Sequence, residues 1–257
     1  MKTTPERPAG SAARDPAGGE GIGEAVDAHH LWVFVSDELP ASPAAVRRAL
    51  LEEQAADADI AIARFERALR RAPQLDGGTW AAPPRRLSRG VRLHVARDAA
   101  VDTVVEIEKL ARAQGLATLD EEIGEVTFTC PLGARLPIVA ASRVLCAARE
   151  GYLLIEGGPS DRYFVQAFVE AGSPEVLLQA VGNRGLEHGS RLGRAQAAAL
   201  ARHGWKPPRG AELNFSRALP LASPAAAREL ARLCRGALSE AYELPDSAPI
   251  TICLALD

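Results

Sequence analysis

Two rhythms of apolar side chains run through the first half of the chain. Leu31-Trp32-Val33-Phe34-Val35 is a continuous apolar run rich in aromatic and β-branched residues, the pattern of a strand buried on both faces. Ser42-Pro43 then offers a helix N-cap and a first-turn proline. The Ala-, Arg- and Glu-rich stretch to Arg71 is helical by propensity, with Ile62, Phe65 and Leu69 on one face. After an irregular segment holding Gly77-Gly78 and Pro83-Pro84, Val91 to Ala96 alternates apolar Val91, Leu93 and Val95 with Arg92 and His94, which predicts a strand. A helix from Ala99 to Ala113 stops at Gly115, and the strand Val126 to Cys130 closes the unit before Pro131. The order β-α-β-α-β predicts a small sheet covered by helices on one face.

Beyond Pro131-Leu132-Gly133 the rhythm changes. Ile138 to Glu150 reads as a helix stopped by Gly151. Three strands follow at hairpin spacing: Tyr152 to Glu156, Arg162 to Glu170 and Val176 to Val181. Gly157-Gly158-Pro159-Ser160-Asp161 and Gly172-Ser173-Pro174 separate them and are strong turn signals. Arg191 to His203 predicts a helix ended by Gly204, Leu213 to Leu219 a strand, Ser223-Pro224 the cap of a helix running to Glu243, and Ile250 to Leu256 a last strand. The expected fold class is α+β, with two small sheet-plus-helix domains at residues 29–131 and 135–257, the second an antiparallel meander flanked by helices. Residues 1–28 are Pro-, Ala-, Gly- and Glu-rich and too poor in large apolar side chains to repay ordering, so they are expected to form a disordered tail.

The meander carries an unusual feature. In its second strand Val165, Ala167 and Val169 alternate with Phe164, Gln166 and Phe168; in its third, Val176, Leu178 and Ala180 alternate with Leu177, Gln179 and Val181. Both faces are substantially apolar, whereas a meander with helices on one side ordinarily turns a wet face outward. The second face needs a cover, which could be the N-terminal domain, a twin subunit in a homodimer, or a bound protein or peptide. Phe164, Phe168 and Leu177 would supply apolar area there, and Gln166 and Gln179 polar contacts.

Composition narrows the function. Thirty basic and 33 acidic side chains leave a net charge of −3 over 257 residues, so no global field draws the chain to nucleic acid or an anionic membrane. No apolar run is long enough to span a bilayer, and the N-terminus lacks a signal-peptide core, so a cytoplasmic location is expected. The high Ala, Arg, Gly and Pro content suggests a GC-rich bacterial genome. Cys130, Cys146, Cys234 and Cys253 are scattered among apolar neighbours without metal-ligand spacing and read as buried thiols; no metal or cofactor is expected.

Local catalytic signatures are missing. There is no P-loop, no G-x-S-x-G elbow and no H-E-x-x-H pair. Gly182 to Ser190 is a glycine-rich connection without lysine, read as a flexible crossover. Asp120-Glu121-Glu122 with Glu125 reads as a solvated turn, and Arg85, Arg86 and Arg89 as a solvated basic loop without aromatic residues for base stacking. Catalytic residues are therefore expected to be none. A small-molecule enzyme with an inter-domain site around His188, completed in space by groups such as Ser190 and Asp161, is the alternative kept open.

At Tyr163-Phe164-Val165-Gln166, Ala180-Val181-Gly182-Asn183, Leu200-Ala201-Arg202-His203-Gly204-Trp205-Lys206-Pro207-Pro208 and Asn214-Phe215, the C-terminal half resembles the TY-Chap group, related to type III secretion chaperones and YbjN. The resemblance covers Arg135 to Asp257, and the order of elements in residues 30–131 is similar to the N-terminal partner domain of such proteins. It implies a chaperone fold that binds a peptide or protein client without catalysis, in a bacterial conflict or secretion system.

Overall fold

The computed structural model describes residues 28–256, apart from 36–42, 53–59, 74, 76–78 and 88. The expected tail over residues 1–28 lies, but for Ala28, outside the described residues. Ten strands form one sheet: β1 (Ala28–Phe34), β2 (Trp80–Arg86), β3 (Gly90–Ala96), β4 (Ala117–Asp120), β5 (Glu125–Pro131), β6 (Gly151–Gly157), β7 (Tyr163–Val169), β8 (Glu175–Ala180), β9 (Phe215–Pro220) and β10 (Pro249–Leu256). Their order is β2-β3-β1-β4-β5-β10-β6-β7-β8-β9, and every neighbouring pair is antiparallel. The fold is α+β. The sheets of the two halves are joined into one because β10 pairs with β5 on one side and β6 on the other.

Among the described residues six α-helices accompany the sheet: α1 (Pro43–Glu52), α2 (Ile60–Leu69), α3 (Ala100–Ala113), α4 (Arg135–Ala147), α5 (Arg194–Arg202) and α6 (Ala226–Gly236). The stretch from Ser42 to Arg71, expected to be helical, is described as helix over α1 and α2, and residues 53–59 between them lie outside the described part. A π-helical turn, Ala237–Ala241, continues α6. The order of elements in the second half agrees with the sequence-based expectation.

Helix placement in the first half differs from the one-sided covering expected. Trp32 and Phe34 of β1 pack with Val46 and Leu50 of α1, while Leu31 and Val33 pack on the opposite side with Ile62, Phe65 and Leu69 of α2 and with Ile107 and Ala111 of α3. The cause lies in β1 itself: a strand apolar at every position buries both faces only if each meets a helix. In the second half α4, α5 and α6 share one large core with β6–β10, built on Leu153, Ile155, Val165, Ala167, Val176 and Leu178.

Two strands went unread. β2 contains Pro83-Pro84, which remove amide donors, and it survives as an edge strand with register shifts around those positions. β4, Ala-Thr-Leu-Asp, is too short to show a period, yet all four residues are buried.

Candidate functional site

Because residues directly opposite across an antiparallel sheet share a face, pairing register traces rows across the whole molecule. One row runs Leu93, Leu31, Asp120, Glu125, Ala255, Tyr152, Phe168, Leu177 and Ala218. A parallel row on the same face runs Val33, Thr118, Thr127, Cys253, Leu154, Gln166, Gln179 and Ser216. At their first-half ends these rows lie under α2 and α3. At their second-half ends no helix among the described residues covers them, since α4–α6 pack on the other face.

All five residues singled out from the sequence lie on this helix-free face. Phe164, Gln166 and Phe168 are half-buried, Gln179 likewise, and Leu177 is 43% exposed, while its neighbour Leu178 on the covered face is 1% exposed. The two glutamines are already engaged with each other. Gln166 Nε2 donates to Gln179 Oε1 at 2.8 Å, and Asn214 Nδ2 donates to the same oxygen at 3.2 Å. Asn214 Oδ1 in turn accepts from the Gly182 amide at 3.4 Å. The amides therefore form a polar rib between the two phenylalanines, in which Gln179 Oε1 accepts twice.

Residues missed from the sequence widen the face. Tyr152, Leu154 and Glu156 of β6 join it on one side, Ser216 and Ala218 of β9 on the other. The Tyr152 hydroxyl donates to Glu125 in the middle of the sheet. Glu108 on α3 stands near the same place: burial first, then the charges of Glu125 and Asp120, push its carboxyl up to about 7. Burial, then Asp161, raises Glu156 too. Arg112 of α3 reaches across to Asp161 at 2.8 Å, so the helix is tied to the turn before β7. The two raised acids, Glu108 and Glu156, could have been suspected only from three-dimensional neighbours, because they stand far apart in sequence.

The two edges of the sheet are interrupted for pairing. β2 presents Pro83 and Pro84. On β9 the outward groups of Ser216 are taken by Lys206, whose amide donates to Ser216 O at 2.8 Å and whose carbonyl accepts from Ser216 N at 3.0 Å. Alternation of pairing leaves Ala218 as the next outward residue, and Pro220 beyond it has no N–H. The Lys206 bridge is built by the Leu200 to Pro208 stretch: α5 ends, Gly204 takes φ +78 in the left-handed region where its lack of a side chain is needed, and buried Trp205 anchors the turn.

The features set aside in the sequence are now placed. The acidic turn is not simply solvated: Asp120 is buried, its Oδ2 2.9 Å from His29 Nε2, while Glu122 meets His29 Nδ1 at 2.9 Å and Arg97 at 2.8 Å. Glu121 pairs with Arg92 and Arg47. Arg86 pairs with Glu66 at 2.9 Å. His188 is exposed and has no acidic partner among the described residues; Asp161 is held by Arg112, and Ser190 Oγ accepts from Arg162 at 3.3 Å. No hydrogen bond among the described residues joins these three side chains to one another. Cys234 and Cys253 are buried and Cys130 and Cys146 half-buried; burial raises all four thiols, Cys130 to about 11 and Cys234 and Cys253 to about 12. No helix among the described residues is long and apolar enough to cross a membrane.

Comparison with protein families gives one match. Residues 128–252 match the family TY-Chap3, described as T3SS (YopN, CesT) and YbjN peptide-binding chaperone 3. The match begins inside β5, ends inside β10 and includes the whole helix-free face. Comparison with curated proteins and with solved structures returns no match.

Proposed function

We propose, from the match of residues 128–252 to the TY-Chap3 family, that the chain binds an extended peptide segment of a client protein on the helix-free face of β6–β9. The observation that carries this reading is the exposure of Leu177 between half-buried Phe168 and the Gln166–Gln179 pair, on a sheet whose opposite face is fully covered. The peptide lies on the face and does not extend an edge, since prolines and the Lys206 bridge interrupt both edges. Phe164, Phe168 and Leu177 contribute apolar area, each side chain adding about 1.5–3 kcal/mol if fully buried by the client. Gln166 and Gln179 direct the backbone of the peptide. In this reading the protein is a non-enzymatic adaptor of the bacterial cytoplasm, serving a conflict or secretion system, and the N-terminal half supplies the wall formed by α3.

The test is recovery of client proteins from the native bacterium by the intact chain and by a Phe168→Asp, Leu177→Asp double variant. Charges on an exposed face leave the circular dichroism melt unchanged, and their desolvation abolishes client recovery. Equal recovery by the variant sinks the site. A variant that falls from a dimeric to a monomeric sedimentation coefficient shows that a second copy of the chain is the cover. Turnover of a small molecule lost on His188→Ala, with no client recovered, replaces the adaptor reading with the enzymatic one.

A further inference from the structure

We propose that the cleft between α4 and α6, on the opposite side of the molecule from the sheet face, is a second binding site that takes an acidic peptide segment. A cavity of about 560 Å3 opens there. Four guanidinium groups line it: Arg135 from the first turn of α4, and Arg228, Arg232 and Arg235 from α6. The last three recur at intervals of four and three residues, which places them along one stripe of the helix. Ile138, Val139 and Ala231 give the cleft an apolar floor.

The charge of the cleft is not cancelled from within. Arg232 is engaged by Glu229 through two contacts of 2.7 Å, and Arg235 by Asp246 at 3.0 Å. Arg135 and Arg228 have no acidic partner among the described residues, and both are exposed. The Nε of Arg235 is buried with no hydrogen-bond acceptor, although almost all buried donors find one. Glu240 is the one acid in the lining, and it is already 3.0 Å from Nε2 of His203. A chain with a net charge of −3 thus concentrates arginines around one apolar hollow.

The end of the cleft is shaped for its position. Arg232 Nη1 lies 3.1 Å from His203 Nδ1, so that nitrogen accepts, and Nε2 on the other side of the ring stands 3.0 Å from Glu240. A side chain on Gly236 would stand 3.2 Å from His203 Cε1, so glycine in mid-helix, ordinarily unfavourable by about 0.5–1 kcal/mol, is what admits the imidazole. The π-helical turn beginning at Ala237 then carries Ser239 and Glu240 to the rim; such turns recur at functional sites.

The spacing selects the ligand. Successive turns of α6 set the Cβ atoms of its arginines about 5–6 Å apart, close to the roughly 6.6 Å between alternate side chains of an extended peptide. Carboxylates at alternate positions can each meet an arginine while the intervening apolar side chains rest on Ile138 and Val139. No Phe, Tyr or Trp among the described residues lines the cleft to stack a base, which disfavours single-stranded nucleic acid. The proposal does not depend on the sheet-face reading.

A fluorophore-labelled peptide alternating Glu with Leu, titrated with the full-length chain and followed by anisotropy, tests it. Binding is expected at low salt and weakens as salt is raised. The same peptide with Gln for Glu binds about tenfold or more weakly. Arg135→Glu with Arg228→Glu reduces affinity by about tenfold or more, and Arg135→Gln with Arg228→Gln, which adds no repulsion, by a smaller factor. Phe168→Asp with Leu177→Asp leaves this binding unchanged, which separates the cleft from the sheet face. The proposal is overturned if the acidic peptide fails to bind, if both arginine variants bind it as well as the parent chain, or if the Gln peptide binds equally. It is also overturned if inorganic phosphate or a single-stranded oligonucleotide at matched ionic strength displaces the peptide more effectively than unlabelled peptide does.

Discussion

The first and second halves of this protein use the same sheet differently. In β1 every side chain from Leu31 to Phe34 is buried, because α1 lies on one side and α2 and α3 on the other. In β7 and β8 burial alternates strictly, with Val165, Ala167, Val176 and Leu178 inside and Phe164, Phe168 and Leu177 half-buried or exposed. Yet the outer face of β7 and β8 still carries three large apolar side chains, Phe164, Phe168 and Leu177, beside its glutamines. An apolar strand face with a helix above it is core; the same kind of face without one is a surface that remains to be covered. Which of the two it becomes is decided by elements distant in sequence.

The sharpest way to break this contrast is at β1. Trp32→Ala removes the largest buried side chain of the first half and should cost about 3–5 kcal/mol in urea unfolding. Adjacent leucines on β8 then measure the two faces of the second half against each other. Leu178→Ala is expected to cost about 2–5 kcal/mol and Leu177→Ala under about 0.5 kcal/mol. Equal costs would show that the outer face is covered in solution.

The junction of the halves can be probed by pH. Glu108 has its carboxyl raised from 4.5 to about 7 by burial and by Glu125 and Asp120. A carboxyl held above its unfolded value favours the fold while protonated, so this contribution is complete below 4.5 and is lost as pH rises through about 7. Glu108→Gln should therefore raise stability at pH 8 by about 1–2 kcal/mol, after allowance for partial exposure, and leave it unchanged at pH 4. Thermal melts across that range decide the point. The smallest effect belongs to the tie between α3 and the turn before β7. Arg112→Ala breaks a pair that is itself over a third exposed on both sides and should cost no more than about 0.5–1 kcal/mol.

Local pattern carried much of this structure. The alternation in β7 and β8, the turn glycines around them and the apolar stripe of α6 were readable because each is set by neighbours within a few residues. Strand β2 was hidden by Pro83-Pro84, whose missing amides matter little on an outer edge, and β4 by its four-residue length. The union of the two sheets could not be read, since it depends on β10 meeting strands whose residues lie far back in the chain. The five sheet-face residues were readable from period-two alternation. The arginines of the α4–α6 cleft were not, because Arg135 and Arg228 stand far apart in sequence and meet only through helix packing.

Strand β10 has a consequence for how the molecule is made. Of the ten strands it leaves the ribosome last, yet it lies between β5 and β6 in the interior of the sheet, where Thr127 Oγ1 donates to Cys253 Sγ across a separation of 126 residues. Until residues 249–256 emerge, β5 and β6 each present an unpaired row of amides, the kind of sticky border that the finished molecule avoids with prolines. Only when β10 arrives are the two half-sheets joined into one, so the last of these strands to be made is the one that seals the middle of the sheet.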